Sequence, residues 1–585
     1  MSNRPSLTPL LLCCLGFALS SGCSSKTPSS EGPPAPKVPE LHEIVLNGPL
    51  PEELHGELFG GSRHNHRELL DELDNVVKQP LIKGVFLRVA GFSGAWARAA
   101  EVTSSLQRVR AAGKPVHCHF DNVDNAGYAL LAASCDKLSM GPAGMLGLTG
   151  VHAETVYAKD LLDLVGLEAE LLQVGRFKGA ADALTRSSMP DEVRQVLDLL
   201  VDDLQHVLTD ALTKGRKLDE AQSKSAIDSG PHAANSALEL KLVDAITFDD
   251  EARAHALEAA RVSHSVRALR DDENEHLEFG ELLSALFGGK PEKPKGERIS
   301  LAYLSGTISD DPHDRPSGSA SGPFVAAMRR IADERDIRAL VLRIDSPGGS
   351  ALASDKMWHA VARVAKRKPV IVSVGDMAAS GGYYVASAGT EIFAQAQSLL
   401  GSIGVVGGKI VGASLAARLG VHSTALSRGQ NSGWMSPFHP FSKTERAAVQ
   451  RAMRQTYDTF IVRVRDGRHL DPARLSAVAE GRVMSGHRAH EGGLVDTIGG
   501  LNDALARARS QAGLRPDANV EVWPKERSVF ERASKLFAGS ESRHVHALNQ
   551  LAEALPELSH SPILSAWLHG DLAPLAALPY VLRLE

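Results

Sequence analysis

The feature that most constrains this chain is an internal duplication. Shifting the sequence by about 255 residues aligns matching pairs and triplets along most of its length. The matches are Leu87-Arg88 with Leu342-Arg343 and Gly127-Tyr128 with Gly382-Tyr383 at 255, Gly150-Val151 with Gly404-Val405 at 254, and Leu242-Val243-Asp244 with Leu494-Val495-Asp496 at 252. An ordered set whose offset drifts by only three residues is not a set of chance pairs. The chain therefore contains two copies of one domain, although its length alone suggests roughly four domains.

The two copies share one predicted order of elements. In each copy short apolar strands alternate with helical stretches, which is typical of an α/β fold with a parallel sheet covered by helices. The predicted strands lie at 44–48, 84–89 and 115–120 in the first copy and at 299–306, 339–344 and 369–374 in the second. The predicted boundaries are a first copy over 41–270, a linker over 271–298, a second copy over 299–510 and an extension over 511–585. The Ala- and Leu-rich part of the extension is predicted to be helical.

The composition excludes several classes of function. With 43% hydrophobic and 23% charged residues, the chain has the profile of a globular protein rather than a disordered one. Its 64 basic and 70 acidic residues give a net charge of −6, which argues against a dedicated nucleic-acid binder. Five cysteines cannot form a disulfide framework, and no CxxC pair indicates zinc. We expect neither a metal nor a cofactor.

The first 23 residues are typical of a targeting segment. Arg4 precedes an apolar run over 10–19, which is too short to cross a bilayer core of about 20 residues and fits a signal peptide. The sequence Ser21-Gly22-Cys23 resembles a bacterial lipobox and predicts lipidation of Cys23, although Ser20 stands where Leu is commonest. An ordinary cleaved secretory peptide is the alternative. The Ser/Pro/Gly-rich stretch over 24–40 is predicted to be a flexible tether.

A serine at the end of a predicted strand is the first candidate catalytic residue. In GDMAASGGYYVAS, residues 375–387, Ser380 opens a predicted helix, where the helix dipole and free N–H groups favour a nucleophile. A helix-capping serine is the alternative. Pro347-Gly348-Gly349 ends the neighbouring predicted strand, and its backbone, with that of Gly381, predicts an oxyanion hole. A simple turn is the alternative for these glycines.

Comparison of the copies singles out a lysine. Ser380 aligns with Asn125, so the first copy lacks the nucleophile. Lys178, in GRFKGA, aligns with Ser432, so the second copy lacks the lysine. This complementary loss indicates that each copy supplies one group to a single site, with Lys178 desolvated between the copies and acting as the base. The alternative is that Lys178 is one solvated amine among many.

Together these motifs resemble those of the protease IV, or signal peptide peptidase A, family in its long two-copy bacterial form. They are GDMAASGGYYVAS (375–387), LLGSIGVVGG (399–408), IDSPGG (344–349), GRFKGA (175–180) and GRVMSGHRAHEGGLVDTIGG (481–500). The resemblance implies a crotonase/ClpP-like fold, a Ser–Lys dyad and a homotetrameric bowl that faces the membrane and digests released signal peptides. It also implies the roles of individual residues, which are Ser380 as nucleophile, Lys178 as general base, Ser402 as the group that orients the lysine, and Gly381 with Gly348 or Gly349 as oxyanion donors.

We therefore predict a serine endopeptidase of the bacterial cell envelope that cleaves apolar peptides. It is expected to face the periplasm from either the inner or the outer membrane, held by lipid on Cys23 where long family members usually carry a transmembrane helix. Two alternatives are a catalytically inactive peptide-binding scaffold and a CoA-thioester enzyme of the crotonase fold. A histidine-based triad is the competing chemistry, but His117, His119 and His359 lie far in sequence from the glycine turns and are interpreted as packing or surface residues.

Overall fold

The computed structural model of the chain describes residues 38–48, 51–53, 64–90, 96–269, 296–310, 318–523, 575–577 and 583–584. The predicted signal peptide and Cys23 lie outside the described residues, as do most of the two predicted linkers and most of the predicted extension. Where regular structure is described beyond Gln511, it consists of strands. No helix in the described part of the chain is long and apolar enough to cross a membrane.

The N-terminal copy alternates strands and helices as its sequence predicts. Its described strands are β1 (Glu40–Leu46), β2 (Ile82–Val89), β3 (Val116–Val123), β4 (Lys137–Leu146), β5 (Ala153–Glu154), β6 (Glu168–Val174), β7 (His232–Ala233), β8 (Ala245–Ile246) and β9 (Ser265–Arg267). Its described helices are α1 (His66–Lys78), α2 (Trp96–Ala111), α3 (Asn125–Ser134), α4 (Lys159–Val165), α5 (Asp182–Thr185), α6 (Asp191–Asp210), which continues into a π-helical turn (Ala211–Gly215), α7 (Glu220–Asp228), α8 (Ala234–Glu239) and α9 (Asp249–Ala260).

The C-terminal copy repeats this order. Its described strands are β10 (Arg298–Ser305), β11 (Thr307–Ser309), β12 (Gly318–Ala320), β13 (Ile337–Ser346), β14 (Gly348–Ser350), β15 (Val370–Ala379), β16 (Glu391–Ala394), β17 (Leu399–Gly401), β18 (Val405–Val411), β19 (Val483–Ser485), β20 (Thr497–Ile498), β21 (Val520–Trp523), β22 (Leu575–Ala577) and β23 (Arg583–Leu584). Its described helices are α10 (Ser321–Asp333), α11 (Ala351–Ala365), α12 (Gly381–Ala386), α13 (Ala413–Arg418), α14 (Lys443–Arg468), α15 (Pro472–Val478), α16 (Gly486–Glu491) and α17 (Leu501–Gln511).

Each copy is built on a sheet of the same topology. The first has the order β7-β4-β3-β2-β1-β9 and the second the order β19-β17-β15-β13-β10-β21. The central neighbours pair in parallel, and an antiparallel strand closes one edge of each sheet. Buried apolar runs such as β13 are typical of parallel strands covered on both faces. The predicted α/β fold with parallel sheets and helices is confirmed.

The two copies share a hydrophobic core. Tyr303, Val341 and Ile371 of the second sheet belong to the same apolar cluster as the core residues of the N-terminal copy. Helix α17 adds Leu501 and Leu505 to this cluster. Burial of apolar surface from both copies in one cluster holds them in a fixed mutual orientation. A site formed at their junction is therefore positioned by packing rather than by a linker.

A buried ion network reinforces this junction. Arg343 of the C-terminal copy donates a bidentate pair of hydrogen bonds to Glu52 (2.7 and 3.0 Å) and a further bond to Glu101 (2.7 Å). The other oxygen of Glu101 bonds to His66 Nε2 at 3.0 Å. Burial alone would raise the pKa of Glu101, but Arg343 and His66 overcome that effect and lower the pKa to about 2. The two copies are thus joined by buried charged groups, and each group is stabilised by the hydrogen bonds of its partners.

A third sheet mixes strands of both copies. Its order is β12-β11-β14-β22-β18-β6. Strand β6 of the N-terminal copy pairs antiparallel with β18 of the C-terminal copy over their full lengths, from Val405 opposite Val174 to Val411 opposite Glu168. The residues that follow β6 therefore lie against the C-terminal copy. The candidate site lies where these residues meet that copy.

One disulfide lies in the N-terminal copy, where the cysteine count had not predicted one. It joins Cys118 on β3 to Cys135 at the end of α3. The disulfide links a central strand of the first sheet to the helix that follows this strand. It therefore cross-links the copy that lacks the candidate nucleophile. A structural disulfide is typical of proteins outside the reducing cytosol.

Removal of Glu101 tests the junction. Glu101→Ala leaves Arg343 and His66 buried with unmatched polar groups, and we expect it to lower the free energy of unfolding by about 3–5 kcal/mol. The measurement is the urea-unfolding midpoint. The control is Asp228→Ala, which breaks the exposed pair with Lys224 and is expected to change the free energy by less than about 1 kcal/mol. Equal effects of the two substitutions would contradict the structural role of the network.

Candidate active site

Ser380 stands at a strained turn between β15 and α12. Its φ and ψ are +53° and −110°, a conformation that L-residues rarely adopt. Its N–H donates to the carbonyl of Gly401 (2.8 Å), and its own carbonyl accepts from Tyr384 (2.8 Å). Glycine at 382 permits the turn, because a Cβ there would lie 2.8 Å from the Ser346 carbonyl oxygen. The backbone of Ser380 is therefore fixed at the start of α12.

Lys178 reaches this turn from the other copy. It lies just after β6, and the N–H of Phe177 beside it donates to the carbonyl of Glu480 at 2.7 Å. The side chain is 0% exposed. Its Nζ lies 2.8 Å from Ser380 Oγ, 2.9 Å from Ser402 Oγ and 2.9 Å from the Ser402 carbonyl oxygen. The predicted meeting of Lys178, Ser380 and Ser402 is therefore present within one chain.

Ser402 is itself held by backbone contacts. It has a φ of +52°, and its N–H donates to the carbonyl of Arg482 at 2.5 Å. Its hydroxyl and carbonyl both face Lys178 Nζ. Two fixed oxygens on one residue therefore orient the amine toward Ser380.

Burial favours the neutral form of the lysine. Desolvation lowers the pKa of Lys178 well below its ordinary value of 10.5. Among the described residues its hydrogen-bond partners are hydroxyl and carbonyl oxygens, with no carboxylate to favour the charged form. A neutral amine donates twice and accepts once. Because a carbonyl cannot donate, donation to the two oxygens of Ser402 leaves the lone pair for the Ser380 hydroxyl.

Two glycines of the sequence motifs contact the lysine, although the sequence predicted no site role for them. A Cβ on Gly404 would lie 2.9 Å from Lys178 Cδ, and one on Gly481 would lie 2.5 Å from the Lys178 backbone nitrogen. Gly481 also has a φ of +85°, which favours glycine. The sequence signal for Gly404 was its pairing with Gly150 across the duplication. Both glycines permit the close approach of the lysine.

The predicted oxyanion glycines lie beside α12. Gly348 and Gly349 form the start of β14, with φ of +98° and +154°. The N–H of Gly348 already donates to Ser346 Oγ (3.1 Å). Gly349 packs on β11, since a Cβ there would lie 2.1 Å from the Ile308 carbonyl oxygen. Helix α12, which begins at Gly381, is in contact with β14.

A polar cluster that the sequence reasoning missed supports the nucleophile strand. Arg98 of the N-terminal copy pairs with Asp376, four residues before Ser380. Asp345 accepts a hydrogen bond from the Met377 N–H at 3.1 Å. Burial and the neighbouring Asp376 raise the pKa of Asp345 to about 7. The strand that carries the serine is thus also tied to the N-terminal copy.

The equivalent position in the N-terminal copy has no such arrangement. Asn125 opens α3, where its side chain donates to the Gly150 carbonyl (3.1 Å) and accepts from the Thr149 N–H (3.1 Å). Ser432, the counterpart of Lys178, is exposed and bonds to the Gly429 carbonyl. The structure therefore brings Ser380 and Lys178 together, whereas Asn125 and Ser432 each bond to backbone groups of their own copy.

The histidines of the competing triad do not contact Ser380. His119 bonds to Ser139 Oγ at 3.0 Å within the first sheet, His117 lies on the same strand, and His359 is exposed on α11. Within the described ranges, no group of three or more His, Cys, Asp or Glu residues is arranged to hold a metal ion.

Comparison with known proteins agrees with the duplication. Residues 108–263 and 362–515, one segment in each copy and together just over half of the chain, match the family described as Peptidase family S49. The chain is 28% identical over 492 residues to "Serine protease SPPA, chloroplastic" of Arabidopsis thaliana, covering 82% of this chain and 70% of the relative. It is 28% identical over 535 residues to "Protease 4" of Salmonella typhi, covering 87% and 82%. It is 31% identical over 208 residues to "Putative signal peptide peptidase SppA" of Enterococcus faecium, covering 35% and 60%. The chain therefore belongs to peptidase family S49, as a two-copy serine peptidase similar to protease IV.

Proposed function

We propose that this chain is an endopeptidase in which Ser380 is the nucleophile and Lys178 the general base, on a duplicated crotonase/ClpP-like fold. The observation that carries the proposal is the 2.8 Å separation of Lys178 Nζ and Ser380 Oγ, two fully buried side chains from different copies. This distance lies within the range needed for direct proton transfer. Desolvation lowers the pKa of Lys178, which favours the neutral amine that a general base requires.

Acylation uses the lone pair of the lysine. Lys178 accepts the hydroxyl proton of Ser380 while Oγ attacks the carbonyl carbon of the scissile peptide bond. Backbone N–H groups of Gly381 and of Gly348 or Gly349 stabilise the negative charge that develops on the carbonyl oxygen. The ammonium of Lys178 then gives its proton to the leaving nitrogen, the C–N bond breaks, and an ester remains on Ser380.

Deacylation repeats the proton transfers with water. Lys178 takes a proton from a water molecule that attacks the ester carbonyl, and returns it to Ser380 Oγ as the acid product leaves. In both halves the transient ammonium is stabilised by the hydroxyl and carbonyl of Ser402, which lie 2.9 Å from Nζ. Ser402 is therefore a positioning residue for the lysine.

The proposed substrates are released signal peptides and other apolar peptides. Support comes from the family resemblance and from the relative named as a putative signal peptide peptidase. Peptides that have left a bilayer are apolar, so a groove with apolar subsites is expected to select them. The proposed location is the bacterial envelope, with lipid on Cys23 as anchor and the catalytic copies facing the periplasm. The disulfide between Cys118 and Cys135 supports an oxidising compartment.

The proposed assembly is a homotetramer. At an offset of 254, β6 corresponds to residues 422–428, and β18 corresponds to residues 151–157. Residues 422–428 are exposed and have no strand partner in the described part of the chain, with Leu426 94% exposed. Pairing of this segment with residues 151–157 of another subunit would repeat the β6–β18 contact head to tail. A heterologous contact of this kind generates a ring when the rotation between subunits closes, as in the bowl implied by the family.

Removal of either dyad group tests the proposal. Lys178→Met keeps the length of the side chain but cannot accept a proton, and we expect kcat for a fluorogenic apolar peptide to fall by about 10²–10⁴-fold. Ser380→Ala should abolish turnover and labelling by a fluorophosphonate probe. Lys224→Met, at an exposed helical position, is the control and should match the wild type. A kcat equal to that of the wild type in either dyad variant would refute the assignment.

The pH profile tests which group is the base. Below the pKa of Lys178 the amine is protonated and cannot accept the Ser380 proton, so kcat/KM should rise with pH as Lys178 deprotonates. Since burial lowers that pKa, the rise should be complete well below pH 10.5. The measurement is kcat/KM between pH 5 and 10. A rise that tracks the ordinary lysine pKa would mean that Lys178 is solvated in the working enzyme.

Crowding of the lysine backbone tests its positioning. Gly481→Ala places a Cβ 2.5 Å from the Lys178 nitrogen at a φ of +85°, so the lysine must move. Displacements of about 1 Å at a catalytic group cost about 10²-fold in rate, which we expect in kcat. The control is Gly513→Ala, which has a similar φ of +66° but no neighbour within 4 Å. Equal kcat values for the two variants would show that the approach at Gly481 does not position the lysine.

A further inference from the structure

Strand β15 is interrupted by a bulge just before the candidate nucleophile. Ile344 of β13 lies opposite Val374 of β15, whereas the next matched pair is Ser346 opposite Ala378. Strand β13 thus advances by two residues while β15 advances by four, so two extra residues bulge out of β15. Residues 375–377 are named the β15 bulge below. Bulges change the direction of the side chains around them and are common beside active sites.

The β15 bulge is also the point at which the strand changes neighbours. Before it, residues 371–373 pair with β16, and after it, residues 377–379 pair with β17. The ladder with β17 ends at Ala379 opposite Gly401, and Ser380 follows directly, with its N–H bonded to the Gly401 carbonyl. The position of Ser380 therefore depends on the path that the backbone takes through the bulge.

Asp345 bonds to the backbone of the β15 bulge from the strand opposite. Its Oδ1 accepts a hydrogen bond from the Met377 N–H at 3.1 Å, where the ladder between β13 and β15 is interrupted. Met377 is three residues before Ser380, and Asp345 is three residues before Gly348, a predicted oxyanion donor. One carboxylate thus links the strand that carries the nucleophile to the strand that leads to the oxyanion glycines.

Two further side chains hold the β15 bulge. Ser398 donates its hydroxyl hydrogen to the Gly375 carbonyl at 2.7 Å. Asp376 accepts hydrogen bonds from the backbone N–H and from Nε of Arg98, on α2 of the N-terminal copy. The bulge is therefore fixed from β13, from the segment before β17 and from the other copy.

The copy without the nucleophile also lacks the carboxylate of Asp345. At the offset of 255, Asp345 aligns with Ala90, whereas Asp376 aligns with Asp121. The aspartate within the bulge is thus present in both copies, but the carboxylate that faces the bulge accompanies the candidate nucleophile. This difference favours a role for Asp345 in the chemistry of Ser380 over a role in the fold that both copies share.

We propose that Asp345 is a positioning residue for the nucleophile, holding the β15 bulge in the path that places Ser380 Oγ against Lys178 and beside the oxyanion glycines. This inference rests on the proposed function and deepens it by making the activity depend on the charge of a carboxylate that touches neither member of the dyad. An ionised carboxylate accepts a stronger hydrogen bond than a neutral acid. The bulge is therefore held most firmly when Asp345 is ionised.

The charged groups around Asp345 determine when it ionises. In the described part of the chain they are Asp376 on β15, Arg98 on α2, Glu52 in the segment before α1, and Arg343 on β13 itself. Burial, Asp376 and Glu52 raise the pKa of Asp345, Arg98 and Arg343 lower it, and the outcome is a pKa of about 7. Above about pH 7 the carboxyl is charged, and below it the carboxyl is protonated.

Removal of the carboxylate tests the positioning. Asp345→Ala takes the acceptor away from the Met377 N–H, and we expect kcat for a fluorogenic apolar peptide to fall by about 10²-fold with KM unchanged, as for a displacement of about 1 Å. The control is Asp136→Ala, because Asp136 accepts a hydrogen bond from the Val116 N–H (2.9 Å) on β3, the counterpart of β15. It should lower the urea-unfolding midpoint and leave kcat unchanged. A folded Asp345→Ala chain with the kcat of the wild type would overturn the proposal.

Asp345→Asn keeps the side-chain volume and an acceptor oxygen, so it tests the charge even if Asp345→Ala does not fold. Hydrogen bonds to charged groups are stronger than neutral ones by about tenfold in equilibrium constant, so kcat/KM should be about tenfold below the wild type at about pH 9 and close to it at about pH 6. Lys178 titrates in both chains, and its pKa is lowered by desolvation, so the ratio of the two kcat/KM values isolates Asp345. The ratio of wild type to variant should rise through about pH 7. A ratio that is constant with pH would overturn the proposal.

The rate of fluorophosphonate labelling separates this inference from the proposed function, because labelling requires a positioned Ser380 but no peptide cleavage. We expect Asp345→Ala to slow the labelling of Ser380 by about 10²-fold, whether or not the chain hydrolyses peptides. Slower labelling in the variant of a chain that cleaves no peptide would uphold the role of Asp345 and reject the endopeptidase. Labelling at the wild-type rate would reject the role of Asp345 even where peptides are cleaved.

Discussion

The contact between Lys178 and Ser380 depends on a strand that one copy supplies to the other. Strand β6 pairs with β18 along its full length and ends just before Lys178, so backbone hydrogen bonds deliver the lysine to the serine. Gly404 and Gly481 permit close packing on the side-chain methylenes and the backbone of Lys178, whose side chain is fully buried. The same contact therefore sets both the distance between the two groups and the desolvation that lowers the pKa of Lys178.

The junction explains why two copies are needed for one site. The shared apolar cluster and the bonds of Arg343 to Glu52 and Glu101 hold the copies as a unit, so Lys178 and Ser380, which lie on different copies, keep a fixed separation. Because Ser380 and Lys178 already meet in one site, the equivalent positions, Asn125 and Ser432, need not keep those residue types. Asn125 bonds to the backbone of Gly150, and the disulfide between Cys118 and Cys135 lies in the copy that carries Lys178.

The duplication made most of the site predictable. Aligning the copies singled out Ser380 and Lys178 because each had lost its counterpart, and the buried β13 and β15 followed from their apolar runs. Other features could not be predicted because they depend on contacts between distant segments. The pairing of β6 with β18 and that of β22 with β14 and β18 require the folded backbone, and Cys118 and Cys135 carry no spacing signal.

The account rests on Lys178 being uncharged at physiological pH when the chain is folded. The most direct measurement is a titration by NMR of lysines labelled at Cε, with the Lys178 signal assigned by its loss in Lys178→Met. We predict that this signal titrates well below the ordinary lysine value of 10.5. A Lys178 signal that titrates with the exposed lysines would contradict the account.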